Sequence, residues 1–206
     1  MSSPFREEIL IPFPATLAAE PSTTHCRGML LVASFNAIKS HGHHERYLVA
    51  LPAQYVTPIT TAIASEWIPI DVVLAHYRAC EALGLSAEET LSIGGAVVMS
   101  LQRTFIGGVL KKATVEAGVS PLFGLQKFAS VYYRTMKGGG ARAVRIGPKD
   151  VRMEFVGQPL SSVRYFRVSF RGFIQAGCAF FARRVVVAEL AAYLSPTSCA
   201  YRVAWA

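Results

Sequence analysis

The sequence predicts an α+β fold in which an N-terminal helical half packs on a C-terminal strand-strand-helix-strand-strand antiparallel sheet unit. Three observations predict it. Between Pro52 and Met136 apolar residues recur at three- and four-residue steps, the spacing of one helix face. The glycines at 138–140 stop that pattern, and short strand-like segments follow. Between them, "RYFRVSFRGFIQAGCAFFARR" brings Phe166, Phe170, Phe173, Gly177 and Phe180 back to helical spacing.

A chain of 206 residues, 52% of them hydrophobic, has room for one domain with a real core and is not globally disordered. No uninterrupted apolar run approaches the roughly 18 residues of a bilayer-spanning helix. Residues 1–24 contain Pro12 and Pro14 behind Glu7 and Glu8, so they read as an extended N-terminal arm and not as a signal peptide. Residues 25–206 read as a single ligand-binding-like domain, helical over 25–137 and sheet-forming over 141–206. Cys26, Cys80, Cys178 and Cys199 lack the short spacings of a metal knuckle, which predicts buried thiols in a reduced, cytoplasmic protein.

Each element has its own signal. "CRGMLLVASFNAIKSHG" reads as a short strand or buried segment running into a helix. In "SEWIPIDVVLAHYRACEALGL", Pro69 marks a helix start, Val72, Val73, Ala75, Ala79 and Leu83 form its apolar face, and Gly84 its stop. Ser86 and Glu89 form a capping box for a second long helix, on which Gly94 and Gly108 share a face where a ligand or backbone can approach. Pro121 starts a further helix running to Met136. Two strands, Ala141–Ile146 and Val151–Val156, flank the turn at 147–150. After the aromatic helix, "VVVAELAAYL" and "CAYRVAW" form the last strand pair around residues 195–198, with Cys199, Tyr201, Val203 and Trp205 on one face.

Charge is unevenly spread. From Lys127 onward thirteen Lys and Arg face only Asp150, Glu154 and Glu189, a balance of +10, while Met1 to Gln126 carries −2. Such asymmetry suits an acidic partner or a second copy of the chain. Nucleic-acid binding is not expected, because the helix opened by Ser86 leads with Glu88 and Glu89, which repel phosphate. His41, His43 and His44 surround a glycine in an expected loop, a poor frame for a metal. His76, alone within a confident helix, reads as a carbonyl-bonded core histidine, and Cys80 one turn later as a structural thiol. No nucleophile elbow or phosphate-binding fingerprint is present, so no enzyme is expected.

The order of hairpin, aromatic helix ending in "GFIQAGCAFF", and hairpin ending in "SCAYRVAW" resembles the C-terminal half of a superfamily. It contains four-vinyl-reductase-type small-molecule domains, haem-based nitric-oxide-binding domains and Bet3-type trafficking subunits. "LPAQY" and "SEWIPIDVVLAHYRACEALGL", with the N-terminal "RGM", are similar to a set of paralogous myxobacterial proteins. The resemblance covers most of the chain from Arg27 and implies a ligand held between helices and sheet. It also shows departures. The Tyr-x-Ser-x-Arg motif of haem-binding members is nearest to "RVSFR", with Arg167 in the tyrosine's place, and Cys178 and Cys199 alone do not close a zinc site.

The resulting expectation is a non-enzymatic sensory or adaptor domain, a signalling module whose mostly apolar pocket binds a small apolar molecule. The expected pocket residues are Trp67, Gly94, Gly108, Phe166, Phe170, Phe173, Gly177 and Tyr201. Gly177 would keep the helical wall thin where Tyr201 crosses. Arg164, Arg167 and Arg171 would reach solvent or an acidic protein partner. A homodimerising or scaffold subunit without a functional ligand is the alternative, and a haem-based gas sensor ranks below both. No cofactor is identified.

Overall fold

The computed structural model describes residues 6–101 and 121–206. In chain order it contains β1 (Glu8–Ile11), β2 (His25–Arg27), α1 (Gly28–Ser40), α2 (His44–Ala50), α3 (Ala53–Thr60), β3 (Trp67–Pro69), α4 (Ile70–Ala82), α5 (Ala87–Leu101) and α6 (Pro121–Thr135). Then come β4 (Met136–Lys137), β5 (Gly140–Gly147), β6 (Asp150–Val156), α7 (Arg164–Cys178), β7 (Val185–Glu189) and β8 (Ser198–Trp205). The fold is α+β, and its C-terminal unit has the strand-strand-helix-strand-strand order read from the sequence. Among the described residues no helix is long and apolar enough to cross a membrane.

Five strands form an antiparallel sheet in the order β1-β5-β6-β8-β7, and β3-β2-β4 form a small second sheet. The alternation of the C-terminal strands decides which face is buried. Ala141, Ala143, Val151, Met153, Phe155, Cys199, Tyr201 and Val203 pack toward the helices. On the other face Glu154, only 5% exposed, is bonded by both Arg142 and Arg152, and Arg152 also grips Glu7 through two contacts of 2.8 and 2.9 Å. That network ties down the segment read as an arm, and β1 within it pairs with β5 as an edge strand.

Local signals account for the helix boundaries. Pro69 precedes α4, where a missing N–H costs nothing, and Gly84 ends it at φ +64°. The Ser86 hydroxyl accepts the Glu89 N–H at 3.1 Å. The other half of the capping box does not form, because the Glu89 carboxylate is taken by His43 Nε2 at 2.7 Å. The "HGHHERY" stretch is accordingly not all loop: His44 opens α2.

α7 is buried on two faces, not one. Tyr165 and Phe166 belong to the helical core, whereas Ile174 and Cys178 belong to the core under the five-stranded sheet, and Phe170 packs against both. Phe180 lies past the helix end and is 37% exposed. Its departure from the inward face follows from α7 stopping at Cys178, which breaks the helical register that the spacing assumed.

Candidate functional site

α5 and α7 cross with their backbones in contact. A Cβ on Gly94 would overlap the Ser169 carbonyl, and one on Gly172 would overlap the Leu91 carbonyl. Only glycine permits this approach, and it fixes how far apart the rest of the two helices stand. Where they diverge from α1, α4 and α6 they leave a cavity of about 70 Å³. Its walls are mostly apolar: Leu30 and Leu31 from α1, Val73 from α4, Ile93 and Val97 from α5, and Phe166, Phe170 and Phe173 from α7. Cys26 and Met136 close it from the small sheet. No strand of the five-stranded sheet contributes, because α7 stands between, so the pocket lies among helices and not directly on the large sheet.

The three phenylalanines form a ladder. Phe166 stacks on Phe170 at 5.3 Å and Phe170 on Phe173 at 5.9 Å, while Phe155 and Tyr201 meet Phe170 edge-on at 5.0 and 5.8 Å. Each such pair contributes about 0.5–1.5 kcal/mol beyond area burial, so this wall is stiff.

One edge of the cavity is polar. Ser34 lines it, and its hydroxyl lies 2.9 Å from His76 Nε2. His76 Nδ1 lies 2.8 Å from the Tyr47 hydroxyl, and Cys80 Sγ is 3.7 Å from Nε2. His76 and Tyr47 are fully buried. Burial pushes the His76 pKa down to about 3, so the ring is neutral. Burial likewise raises Tyr77 and Cys80 above their ordinary values and pushes the Cys26 thiol up to about 12, leaving all of them uncharged at neutral pH.

The sequence-derived site residues separate on this geometry. Gly94, Phe166, Phe170 and Phe173 come together around the cavity. Gly108 lies outside the described residues. Trp67 does not line the cavity; its ring lies 4.0 Å from the Arg27 guanidinium and 4.7 Å from the Lys137 ammonium. Tyr201 sits beneath the sheet and donates to the Arg167 carbonyl at 3.0 Å. Gly177 makes no close approach: a Cβ there would meet nothing within 4 Å, and the close crossing belongs to Gly172.

The three arginines of α7 take different positions. Arg164 is exposed, and its backbone N–H is capped by Glu81 at 2.8 Å. Arg167 is largely turned inward, its side chain 14% exposed; its Nε lies 2.7 Å from Glu189 and its guanidinium donates to the Ser161 carbonyl at 2.8 Å. Arg171 is half-buried, and its Nε has no acceptor among the described residues. Sequence reasoning missed Ser34, Tyr77 and Gly172. A lone serine in the apolar run "MLLVASFNAI" and a glycine inside "FRGF" were the available signals.

No protein-family model and no curated protein matches the sequence. Solved structures do match by backbone. An isoleucine-5-to-phenylalanine mutant of the T. tengcongensis H-NOX superposes with TM-score 0.60 at 15% identity, over 87% of this chain and 97% of that one. A Cs H-NOX mutant carrying 4-cyano-L-phenylalanine gives 0.61 at 15% identity, over 87% and 96%. An oxygen-binding H-NOX domain related to soluble guanylate cyclases, in its oxygen complex, gives 0.58 at 15% identity, over 87% and 94%.

The residues present do not fit a haem. All five histidines of the chain, His25, His41, His43, His44 and His76, fall within the described residues, and none lines the cavity. His76 spends both ring nitrogens on Tyr47 and Ser34. Among the described residues the lining contains no arginine or lysine to meet propionates, and Cys26 is held as a thiol, not a thiolate. What this chain shares with the H-NOX domains is their fold.

Proposed function

We propose that this chain is a non-enzymatic sensory or adaptor domain whose cavity binds one small, neutral, mostly apolar molecule directly, without haem. The observation that carries the reading is the cavity itself, an apolar space of about 70 Å³ inside a fold whose solved examples include an oxygen-binding domain. Apolar space of this kind is costly to leave unfilled, since its lining atoms lose contact partners. A bound guest restores those contacts and acts on α1, α4, α5 and α7 together, a suitable arrangement for passing a binding signal to the surface.

The competing interaction-subunit reading drew on the surplus of basic residues. Arg142, Arg145, Arg152, Arg167 and Arg202 each face a carboxylate of their own molecule, but Asp150, Glu154 and Glu189 are already counted in the +10 balance, and only Glu7 and Glu8 come from outside that half.

Titration with isobutane followed by methyl NMR tests the proposal. Shifts confined to Leu30, Leu31, Val73, Ile93 and Val97, and lost on filling the space with Val97→Phe, are expected. Shifts scattered over the surface, or none, overturn it.

A further inference from the structure

We infer that the guest carries a hydrogen-bond acceptor at one end, as a small ketone, aldehyde or ether does, and that this end sits against Ser34 and Tyr77. The inference rests on the pocket proposed above and specifies what fills it.

Most polar groups in the lining are already spent. Ser169 Oγ donates to the Phe166 carbonyl at 3.1 Å, and Thr135 Oγ1 to the Val131 carbonyl at 3.0 Å. The Tyr132 hydroxyl accepts from Gln158 at 3.3 Å and lies 3.5 Å from Thr23 Oγ1. The Cys26 thiol is directed at the Arg27 carbonyl. Ser34 and Tyr77 remain, and Ser34 ends a chain of hydrogen bonds that starts in the core.

The direction of that chain follows from its buried end. Among the described residues, the fully buried Tyr47 hydroxyl has one hydrogen-bond partner, His76 Nδ1. An orphaned buried proton is costly, so Tyr47 donates and Nδ1 accepts. A neutral imidazole then carries its proton on Nε2, and Nε2 donates to Ser34 Oγ. Ser34 has its own hydroxyl proton left to give to a guest, and the Tyr77 ring lines the same cavity. The chain therefore delivers an O–H donor to the cavity edge, where an acceptor is the complementary group.

Size and charge narrow the class. An apolar cavity of about 150 Å³ admits benzene, so this one suits about three or four heavy atoms. Among the described residues no Asp, Glu, Lys or Arg lines it, and an unpaired ion would face a heavy desolvation cost. Carboxylates and amines are therefore poor guests.

Acetone and isobutane are matched four-heavy-atom probes that differ in the acceptor. With the full chain, the carbonyl stretch of bound acetone is expected at lower wavenumber than in hexane. Ser34→Ala should weaken acetone about fivefold, the worth of one net hydrogen bond, and leave isobutane unchanged. Tyr77→Phe provides the same comparison should Ser34→Ala fail to fold. Isobutane binding with no acetone binding, an unshifted stretch, or an acetone-to-isobutane ratio untouched by either variant overturns the inference while the pocket stands. Binding of neither probe removes the pocket and this inference with it.

Discussion

Gly94 in α5 and Ser169 in α7 meet backbone to backbone, so closely that a Cβ on the glycine would overlap the serine's carbonyl oxygen. Gly172 repeats the contact against Leu91 about one helical turn along the same crossing. The pair sets the separation of the helices that frame the cavity, and each backbone is held by the other's helix, so neither can retreat alone.

Gly94→Ala and Gly172→Ala should each destabilise by about 2–3 kcal/mol through overpacking, lowering the melting temperature by roughly 2–4 °C per kcal/mol for a chain of this size. Gly177→Ala should be neutral or raise it, since the site is open and alanine favours a helix by about 0.5–1 kcal/mol over glycine. Thermal melts of the three variants check this. Equal losses at all three would contradict the helix crossing.

Phe170 belongs to both cores and forms the middle of the aromatic ladder. Phe170→Ala should cost about 3 kcal/mol and enlarge the cavity, so that guests the size of benzene bind where only smaller ones did. Chemical denaturation and NMR titration with benzene measure the two effects. A stable variant that gains no benzene binding would place Phe170 outside the wall.

Much of this arrangement was legible in the residues, for reasons that also explain the gaps. The period-2 alternation in β5, β6 and β8 and the stop at Gly84 are local rules, and the strands and α4 followed them. Gly177 shows where such rules end. Helical spacing places it on the same stripe as Phe166, Phe170 and Phe173, but spacing does not say which turn a second helix crosses, and α5 crosses at Gly172. Arg167 shows the same gap for charge: its partner Glu189 is distant in sequence and arrives only when β7 is laid down. The Tyr47–His76–Ser34 chain joins three helices and has no local signature at all.

His76 makes stability depend on pH. Its pKa is held near 3 in the folded protein by burial and returns to about 6.5 in the unfolded chain. The unfolded state therefore binds the extra proton between those values. The contribution is fully present above about pH 6.5 and is lost as pH falls toward 3, with a slope of up to about 1.4 kcal/mol per pH unit. The groups around the ring, Tyr47, Ser34, Tyr77 and Cys80, carry no charge at neutral pH that would offset this. Denaturation curves from pH 7.5 to 4.5 should show a steeper decline for the native protein than for His76→Gln. Parallel declines would mean that the ring is hydrated or already charged.

The most direct test of the central claim is the electron density of a xenon-pressurised crystal. Xenon is apolar, needs no specific partner, and reports space inside a protein irrespective of the natural guest. The account predicts a single strong xenon peak bounded by Leu31, Tyr77, Ile93, Phe166 and Phe170. An absence of xenon there, with the cavity closed by side chains or filled by a bound cofactor, would contradict it.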